Sequence, residues 1–211
     1  MKGKNENLLV GITGPSGAGK SLAVGAFEAH GFRVIDADRV AREVVMPGQP
    51  VLAKLADAFG SDVICQDGTL DRRRLAGRAF SSRERTDRMN AIMLTEIRKH
   101  MAAQAADCAA AGKNCLFDAP LLFEAGLETL CDCCVAVIAP MEVRLVRLAQ
   151  RDGLTEQELC RRLKMQHEDD YYISRCQYVL VNDRDTATLQ REAEKVVTAI
   201  LEKYYHGDST T

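Results

Sequence analysis

The residues with the clearest chemistry form a glycine-rich segment that ends in a lysine and a serine. Gly14, Gly19, Lys20 and Ser21 fill the phosphate-loop spacing G-x-x-x-x-G-K-[ST]. Glycines let backbone N–H groups wrap around a polyphosphate, and the helix that follows adds unpaired N–H donors. We expect Lys20 to reach the β- and γ-phosphates and the Ser21 hydroxyl to hold Mg²⁺. The motif therefore predicts binding of a nucleoside triphosphate, but not which group receives phosphate.

Three carboxylates follow short apolar runs further along the chain. Asp36 and Asp38 are two residues apart after Phe32–Ile35, and we expect both at the carboxyl end of one strand, pointing in similar directions. One would accept a proton from an attacking hydroxyl, and the other would hold Mg²⁺ through water or cap the next helix. The alternative is that both are helix caps. Asp118 ends another apolar run, where a second magnesium carboxylate and a structural carboxylate are equally consistent with the sequence.

Three arginines are spaced three and four residues apart, which places them on one face of a helix. They are Arg144, Arg147 and Arg151, and Asp152-Gly153 ends that helix. A cationic face leading into a mobile segment suits a lid over a transferring phosphoryl group, chiefly through Arg147 and Arg151. The alternative is a solvated charged surface.

Positioning these groups requires an alternating arrangement of strands and helices. We predict strands at Leu8–Thr13, Phe32–Ile35, Cys115–Phe117, Cys133–Ile138 and Tyr178–Val181. We predict helices at Gly19–His30, Asp38–Val45, Pro50–Phe59, Asp71–Phe80, Glu84–Ala111, Met141–Gln150, Thr155–Met165 and Thr186–Tyr205. The pattern predicts an α/β, three-layer fold with a five-stranded parallel sheet.

The link between the second and third strands is too long for one crossover helix. We interpret residues 39–112 as a helical insertion that covers an acceptor, and residues 1–38 and 113–211 as the core of a single domain. The lid would occupy about residues 144–175.

Composition excludes several classes of function. The chain has 211 residues and a formal net charge of −2, so no basic field predicts a nucleic-acid or membrane partner. The polar start and short first apolar run predict neither a signal peptide nor a membrane span, and we expect a cytoplasmic protein. Eight cysteines are present, but their spacing lacks two separated ligand pairs, so we expect small apolar fillers and exposed thiols.

Taken together, the motifs resemble those of the dephospho-coenzyme A kinase family over nearly the whole chain. Besides the phosphate loop, the matching pieces are Val34–Asp38, Ala41-Arg42, Pro47-Gly48, Phe59-Gly60, Asp67–Arg72, Asn90–Ile92, Pro120–Glu124, Arg147–Asp152, Gln166, Tyr178-Val179 and Asn182. The resemblance implies a phosphate-loop kinase fold with a helical acceptor region and a lid. It also implies transfer of the ATP γ-phosphoryl group to the ribose 3′-hydroxyl of dephospho-coenzyme A, with Mg²⁺, as the last step of coenzyme A synthesis.

The resemblance also assigns residues, through the positions that match the family's motifs. It implies catalytic roles for Lys20, Asp38 as general base, and Arg147 as the lid arginine. The implied ATP-binding positions are Gly14, Gly17, Ala18, Gly19, Lys20, Ser21, Leu22, Arg147, Arg151 and Asn182. The implied acceptor-binding positions are Asp36, Asp38, Arg42, Arg72, Pro120, Leu121, Leu122 and Glu124, and the implied metal ligands are Ser21 and Asp118.

The sequence departs from the family pattern in four places, none of which removes a predicted phosphate or magnesium contact. The loop reads Pro15–Ala18 where the family usually has Gly-Gly-Ile-Gly-Ser, and Leu22 replaces a usual threonine. Leu94-Thr95 stands where His-Pro is typical, which questions a helix kink there. Cys176-Gln177 replaces Ala-Asp before the last strand.

Other functions are less consistent with the same residues. The loop letters alone look more like guanylate kinase, but no arginine- and tyrosine-rich guanine pocket follows. Nucleoside and shikimate-type kinases do not account for Pro120–Glu124. A switch GTPase is disfavoured because Asp183 replaces the lysine of N-K-x-D. A non-catalytic nucleotide-binding module is disfavoured by the intact Lys20, Ser21 and Asp38. Oligomeric state is undetermined.

Overall fold

The structure is a computed structural model that describes residues 7–153, 155, 158–160, 163 and 166–206. Its strands are β1 (Leu9–Thr13), β2 (Arg33–Asp36), β3 (Cys115–Asp118), β4 (Cys133–Ile138) and β5 (Tyr178–Val181). Its helices are α1 (Lys20–Ala29), α2 (Ala37–Glu43), α3 (Val51–Phe59), α4 (Arg72–Ala79), α5 (Arg83–Ala110), α6 (Met141–Asp152), α7 (Asp169–Ile173) and α8 (Thr186–His206). Short 3₁₀ turns occupy Ser61–Val63 and Leu127–Leu130.

The five strands form one parallel sheet in the order β2-β3-β1-β4-β5, which confirms the predicted sheet. β1 lies at its centre because Val10 and Ile12 are fully buried and fit a strand covered on both faces. Alternation along β3 directs Leu116 into one apolar core and Phe117 into the other. All strands therefore present their carboxyl ends at one edge of the sheet.

Helices cover both faces of this sheet. On one face α1 packs with α8, and their apolar sides enclose a core that includes Phe27 and Val197. On the other face α2, α3 and α5 enclose a core that includes Val40, Leu55 and Phe117. Burial of apolar surface in these two layers supplies the main driving force for folding.

Four helices, α2 to α5, occupy the long link between β2 and β3, in agreement with the helical content predicted there. α5 is unbroken for 28 residues, so the absence of a His-Pro pair leaves no kink at Leu94-Thr95. Thr95 instead donates its hydroxyl to the Ala91 carbonyl at 2.7 Å within the helix. The division of roles between this link and the rest of the chain stays a prediction.

The predicted helix at Thr155–Met165 lies partly outside the described residues. Its start is described: the Thr155 hydroxyl and backbone N–H both donate to the Glu158 carboxylate, at 2.6 and 2.9 Å. The Glu158 backbone N–H approaches the Thr155 hydroxyl oxygen at 3.4 Å. This reciprocal pair is the capping box that the Thr-x-x-Glu spacing predicts.

Candidate active site

The sheet topology brings the chemistry-bearing residues to one edge. Asp36 and Asp118 are paired across β2 and β3, and Asp118 is also paired with Ile12, one residue before β1 ends. A cleft of about 430 Å³ opens at this edge. Its lining consists of Gly14, Pro15, Ser16, Gly17, Gly19, Lys20, Ser21, Asp36, Asp38, Asp118, Pro120, Arg147, Leu148 and Arg151. Such an edge is where open α/β sheets bind ligands.

The phosphate loop has a shape that only glycine allows at two positions. Gly14 has φ +146°, and a Cβ there would overlap the Val137 carbonyl oxygen of β4. Gly19 has φ +94°, and a Cβ there would overlap the Asn182 side-chain amide. α1 begins directly afterwards at Lys20, so its first N–H groups lie at the cleft.

Lys20 and Asp118 form an ion pair across the cleft floor, from the lysine ammonium to Oδ1 of the carboxylate. Each side chain is 17% exposed, so water screens the pair only partly. The Ser21 hydroxyl lines the same cleft. The loop lysine, the loop hydroxyl and one strand-end carboxylate thus meet in space, as their positions in the sequence predict.

Asp36 and Asp38 both line the cleft, and they occupy different positions around the end of β2. β2 ends at Asp36 and α2 starts at Ala37, so Asp38 belongs to the first helical turn and not to a strand end. Asp36 is the N-cap of α2: its Oδ1 accepts the backbone N–H groups of Asp38 and Arg39 at 2.7 and 3.2 Å. Among described residues, none donates a hydrogen bond to the exposed Asp38 carboxylate, which is therefore available to a ligand.

The three arginines of α6 separate into two environments, so they do not form one cationic face over the cleft. Arg147 and Arg151 line the cleft, whereas Arg144 is 3% exposed and points behind the phosphate loop. Arg144 donates from Nε to the Ser16 carbonyl at 3.0 Å and from Nη2 to Gln166 Oε1 at 2.8 Å. Burial lowers the pKa of the Arg144 guanidinium, and the nearby Asp169 carboxylate opposes that shift.

Asn182 lies directly after β5, and its side chain supports the phosphate loop. It is 2% exposed and donates from Nδ2 to the Ala18 carbonyl at 2.8 Å. Its Oδ1 accepts from Arg147 Nη2 at 3.1 Å. Asn182 and the buried Ala18 lie outside the cleft lining, and so does Leu22, which faces outward from the first turn of α1.

The predicted acceptor positions are only partly brought together. Pro120 lines the cleft and accepts the Thr13 hydroxyl on its carbonyl at 3.2 Å. Leu121 is 50% exposed, whereas the Leu122 side chain is fully buried against Gly11 and is not open to an acceptor in this structure. The predicted role of Leu122 stays a prediction. Glu124 lies outside the cleft lining, where its Oε1 is 3.1 Å from His167 Nε2 and 3.3 Å from the Tyr171 hydroxyl.

Arg42 and Arg72 lie outside the cleft lining as well. Arg42 is exposed near the end of α2, and Arg72 is exposed at the first position of α4. Neither forms an ion pair with a described residue. The approach of either arginine to an acceptor stays a prediction.

Within the described part of the chain, no group of three or more His, Cys, Asp and Glu side chains could hold a metal. Cys65 is exposed, whereas Cys108, Cys115 and Cys134 are buried. Burial raises the pKa of the Cys133 and Cys176 thiols to about 12.

No helix among the described residues is long and apolar enough to cross a membrane.

The sequence did not predict the hydrogen bond between Arg144 and Ser16 that supports the phosphate loop. Arg144 is its buried donor, and the Ser16 carbonyl is its acceptor. The contacts join positions 128 residues apart along the chain, so no local pattern signals them. Gln166 contributes through the same environment, 150 residues from Ser16. The motif spacing identified the cleft itself, but not what holds its backbone in place.

A phosphate loop after the central strand, with carboxylates at the ends of β2 and β3 and arginines from α6, defines a phosphate-loop kinase. A family model described as dephospho-CoA kinase matches residues 8–188. A dephospho-CoA kinase of Corynebacterium glutamicum is 41% identical over 197 residues, covering 93% of this chain and 98% of that protein. The chain belongs to the dephospho-CoA kinase family.

Solved structures share the fold. A crystal structure of a Thermus thermophilus protein has a TM-score of 0.75 at 29% identity and covers 92% of this chain and 98% of that one. The dephospho-CoA kinase from Campylobacter jejuni has a TM-score of 0.68 at 24% identity, covering 91% and 96% of the two chains. At that identity the second likeness shows the fold alone.

Proposed function

We propose that this protein transfers the γ-phosphoryl group of ATP to the ribose 3′-hydroxyl of dephospho-coenzyme A, giving coenzyme A and ADP as the final step of coenzyme A synthesis. The observation that carries the proposal is one cleft in which the phosphate loop, the Asp38 carboxylate and two α6 arginines meet. Membership of the family supplies the acceptor. The geometry supports the donor side of the same reaction.

In this mechanism the loop N–H groups and Lys20 hold the ATP phosphates at the start of α1. Arg147 and Arg151 line the same cleft and offset charge as the phosphoryl group moves. An incoming phosphate competes with Asp118 for the Lys20 ammonium, because that ammonium is paired with the carboxylate. Phosphoryl transfer of this kind depends mainly on positioning and on charge stabilisation.

Asp38 is proposed to orient the 3′-hydroxyl and to accept its proton as the oxygen attacks phosphorus. The O–H bond breaks, the new O–P bond forms, and the bond to the β-phosphate oxygen breaks to release ADP. Asp36 has one oxygen, Oδ1, engaged in capping α2, so we assign this duty to Asp38. The two carboxylates therefore divide into a structural cap and a reactive group.

The donor set fits Mg²⁺ bound jointly with nucleotide oxygens. Ser21 contributes a hydroxyl and Asp118 a carboxylate to the same cleft, and both are hard oxygen ligands. Because Mg²⁺ usually keeps several waters and takes phosphate oxygens, a full set of protein ligands is not required. When bound, the ion would neutralise charge on the β- and γ-phosphates.

The acceptor is proposed to lie against the helical link, with Arg42, Arg72 and the exposed Leu121 as its contacts. Arg42 and Arg72 carry exposed guanidinium groups, which suit the pyrophosphate of dephospho-coenzyme A. Three predicted ATP-binding positions lie outside the cleft lining, namely Ala18, Leu22 and Asn182. We propose that these residues act on ATP through the backbone of the phosphate loop.

The testing experiment is a coupled assay for ADP with ATP, Mg²⁺ and dephospho-coenzyme A, and with identification of coenzyme A by mass spectrometry. GMP, UMP and shikimate are run as alternative acceptors. Of these four acceptors, we expect only dephospho-coenzyme A to support turnover. Turnover with one of the other acceptors, and none with dephospho-coenzyme A, would refute the assignment.

A further inference from the structure

Three consecutive carbonyls of the phosphate loop are each approached by a side-chain donor from another part of the chain. Arg144 Nε donates to the Ser16 carbonyl at 3.0 Å, and Asn182 Nδ2 donates to the Ala18 carbonyl at 2.8 Å. Between them, Arg147 Nη1 approaches the Gly17 carbonyl at 3.4 Å. The donors come from α6 and from the residue after β5, so the loop is held by tertiary contacts and not by its own turns alone.

Ser16 forms three hydrogen bonds with the side chains of Arg144 and Gln166. Its backbone N–H donates to Gln166 Oε1 at 3.1 Å, and its hydroxyl accepts from Gln166 Nε2 at 2.7 Å. Arg144 holds its carbonyl and also donates to Gln166 Oε1, at 2.8 Å. Each polar end of the Gln166 amide is thus used, which fixes the orientation of that side chain.

These contacts constrain the peptide units of the loop. In a trans peptide unit the N–H of one residue points opposite to the C=O of the residue before it, and no cis peptide occurs among the described residues. Drawing the Ser16 carbonyl toward Arg144 turns the Gly17 N–H to the other side of the peptide. Gly17 itself lines the cleft.

Arg144 is buried behind the loop while remaining charged. It is 3% exposed and forms no ion pair within 4.0 Å with a described residue. Electrostatic interactions with Asp169 and Tyr172 from α7 oppose the lowering of its pKa by burial. A guanidinium in such a place costs desolvation energy that a structural apolar residue would avoid, so its hydrogen bonds to Ser16 and Gln166 need a reason.

We propose that Arg144 and Gln166 are positioning residues for the nucleotide phosphates, acting through the backbone and hydroxyl of Ser16. The inference rests on the proposed ATP site in this cleft, because the loop is the group that they orient. Neither side chain needs to touch ATP: Gln166 lies outside the cleft lining, and so does Arg144. They keep the loop N–H groups directed at the phosphates before ATP arrives.

The experiment compares Arg144→Met, Gln166→Ala and Ser16→Ala with wild type. Arg191→Met and Gln190→Ala are the matched controls, since both residues are exposed on α8, away from the cleft. The readouts are ATP affinity by calorimetry, dephospho-coenzyme A affinity, kcat and KM for each substrate, and the melting temperature.

We expect ATP kcat/KM to fall about 30- to 100-fold in Arg144→Met, since small displacements of a bound reactant carry losses of that order. Gln166→Ala should lose about tenfold, because it releases both the Ser16 backbone and its hydroxyl. Ser16→Ala should lose about threefold, and the Ser16→Ala/Gln166→Ala double variant should lose less than the product of the two single effects. Affinity for dephospho-coenzyme A should stay within about twofold throughout.

Two results would overturn the proposal. One is ATP affinity and kcat/KM close to those of wild type in the folded variants. The other is an equal loss of affinity for both substrates, which would indicate a general role in the fold. If Arg144→Met does not fold, Gln166→Ala decides, because Gln166 is only half-buried. A wild-type protein that binds ATP but ignores dephospho-coenzyme A would refute the proposed acceptor, while ATP affinity would still decide this proposal.

Discussion

Replacing Asp118 with asparagine should strengthen ATP binding in the absence of metal while weakening turnover. Asp118 holds the Lys20 ammonium, so an incoming phosphate has to compete with this carboxylate. The asparagine side chain would keep the shape of the aspartate but would lose its charge. Removal of a negative charge from the cleft also reduces repulsion of the nucleotide.

The size of the effect follows from the exposure of the pair. Both side chains are 17% exposed, which lies between a surface pair and a fully buried one. A hydrogen bond to a charged group contributes about 1.5–3 kcal/mol, and screening places this pair at the lower end. Since about 1.4 kcal/mol corresponds to tenfold in an equilibrium constant, we expect metal-free ATP to bind about tenfold more tightly.

The same loss should lower the stability of the protein without nucleotide. A loss of about 1.5 kcal/mol corresponds to a fall in melting temperature of roughly 3–6 °C for a chain of this size. Turnover with Mg²⁺ should drop by at least about 100-fold if Asp118 is a magnesium ligand. The substitution should therefore act in opposite directions on two quantities: it should raise the affinity for metal-free ATP and lower the rate of turnover with Mg²⁺.

The assay is calorimetry with ATP in EDTA, followed by steady-state kinetics with Mg²⁺ and thermal unfolding. Asp57→Asn is the matched control, because Asp57 is exposed on α3, outside the cleft lining. Unchanged metal-free ATP affinity together with an unchanged melting temperature would show that the Lys20–Asp118 pair does not compete with phosphate. That result would refute the reasoning.

Two further predictions concern other groups. Asp38→Asn should lower kcat about 100-fold and leave ATP affinity within about twofold, because the proposed role of this carboxylate is toward the acceptor hydroxyl and not toward the ATP phosphates. Kinetics and calorimetry measure the two quantities. Treatment with iodoacetamide at about pH 8 should label Cys65 well before Cys133 and Cys176, as peptide mass spectrometry would record. Cys65 is exposed, whereas burial raises the pKa of the other two thiols to about 12, leaving about one thiolate in 10⁴.

Each of these has a contradicting outcome. Loss of ATP affinity in Asp38→Asn, with kcat little changed, would assign Asp38 to magnesium or to the fold. Labelling of Cys133 or Cys176 as fast as Cys65 in the folded protein would contradict their burial. Unfolded protein in urea is the control, since all cysteines should then react at similar rates.

The sequence by itself determined the sheet, the phosphate loop and most of the cleft. Apolar runs such as Val10–Ile12 and the glycine-lysine spacing are local patterns, and they directly constrain backbone conformation and burial. The long helix through Leu94-Thr95 was predicted as uninterrupted because nothing in it breaks a helix. Since parallel strands share one carboxyl edge, the phosphate loop and the carboxylates at the strand ends were bound to lie close together.

Only the tertiary structure decided how individual side chains are used. Asp36 became a helix cap and Leu122 a core residue, because α2 starts one residue earlier than predicted and the turn after β3 folds inward. Arg144 and Arg147 share a helical face in sequence, yet one lies behind the loop and the other lines the cleft. Spacing fixes only the relative angle of side chains on one helix, whereas the packing of α6 against Ser16, 128 residues away, decides what each one reaches.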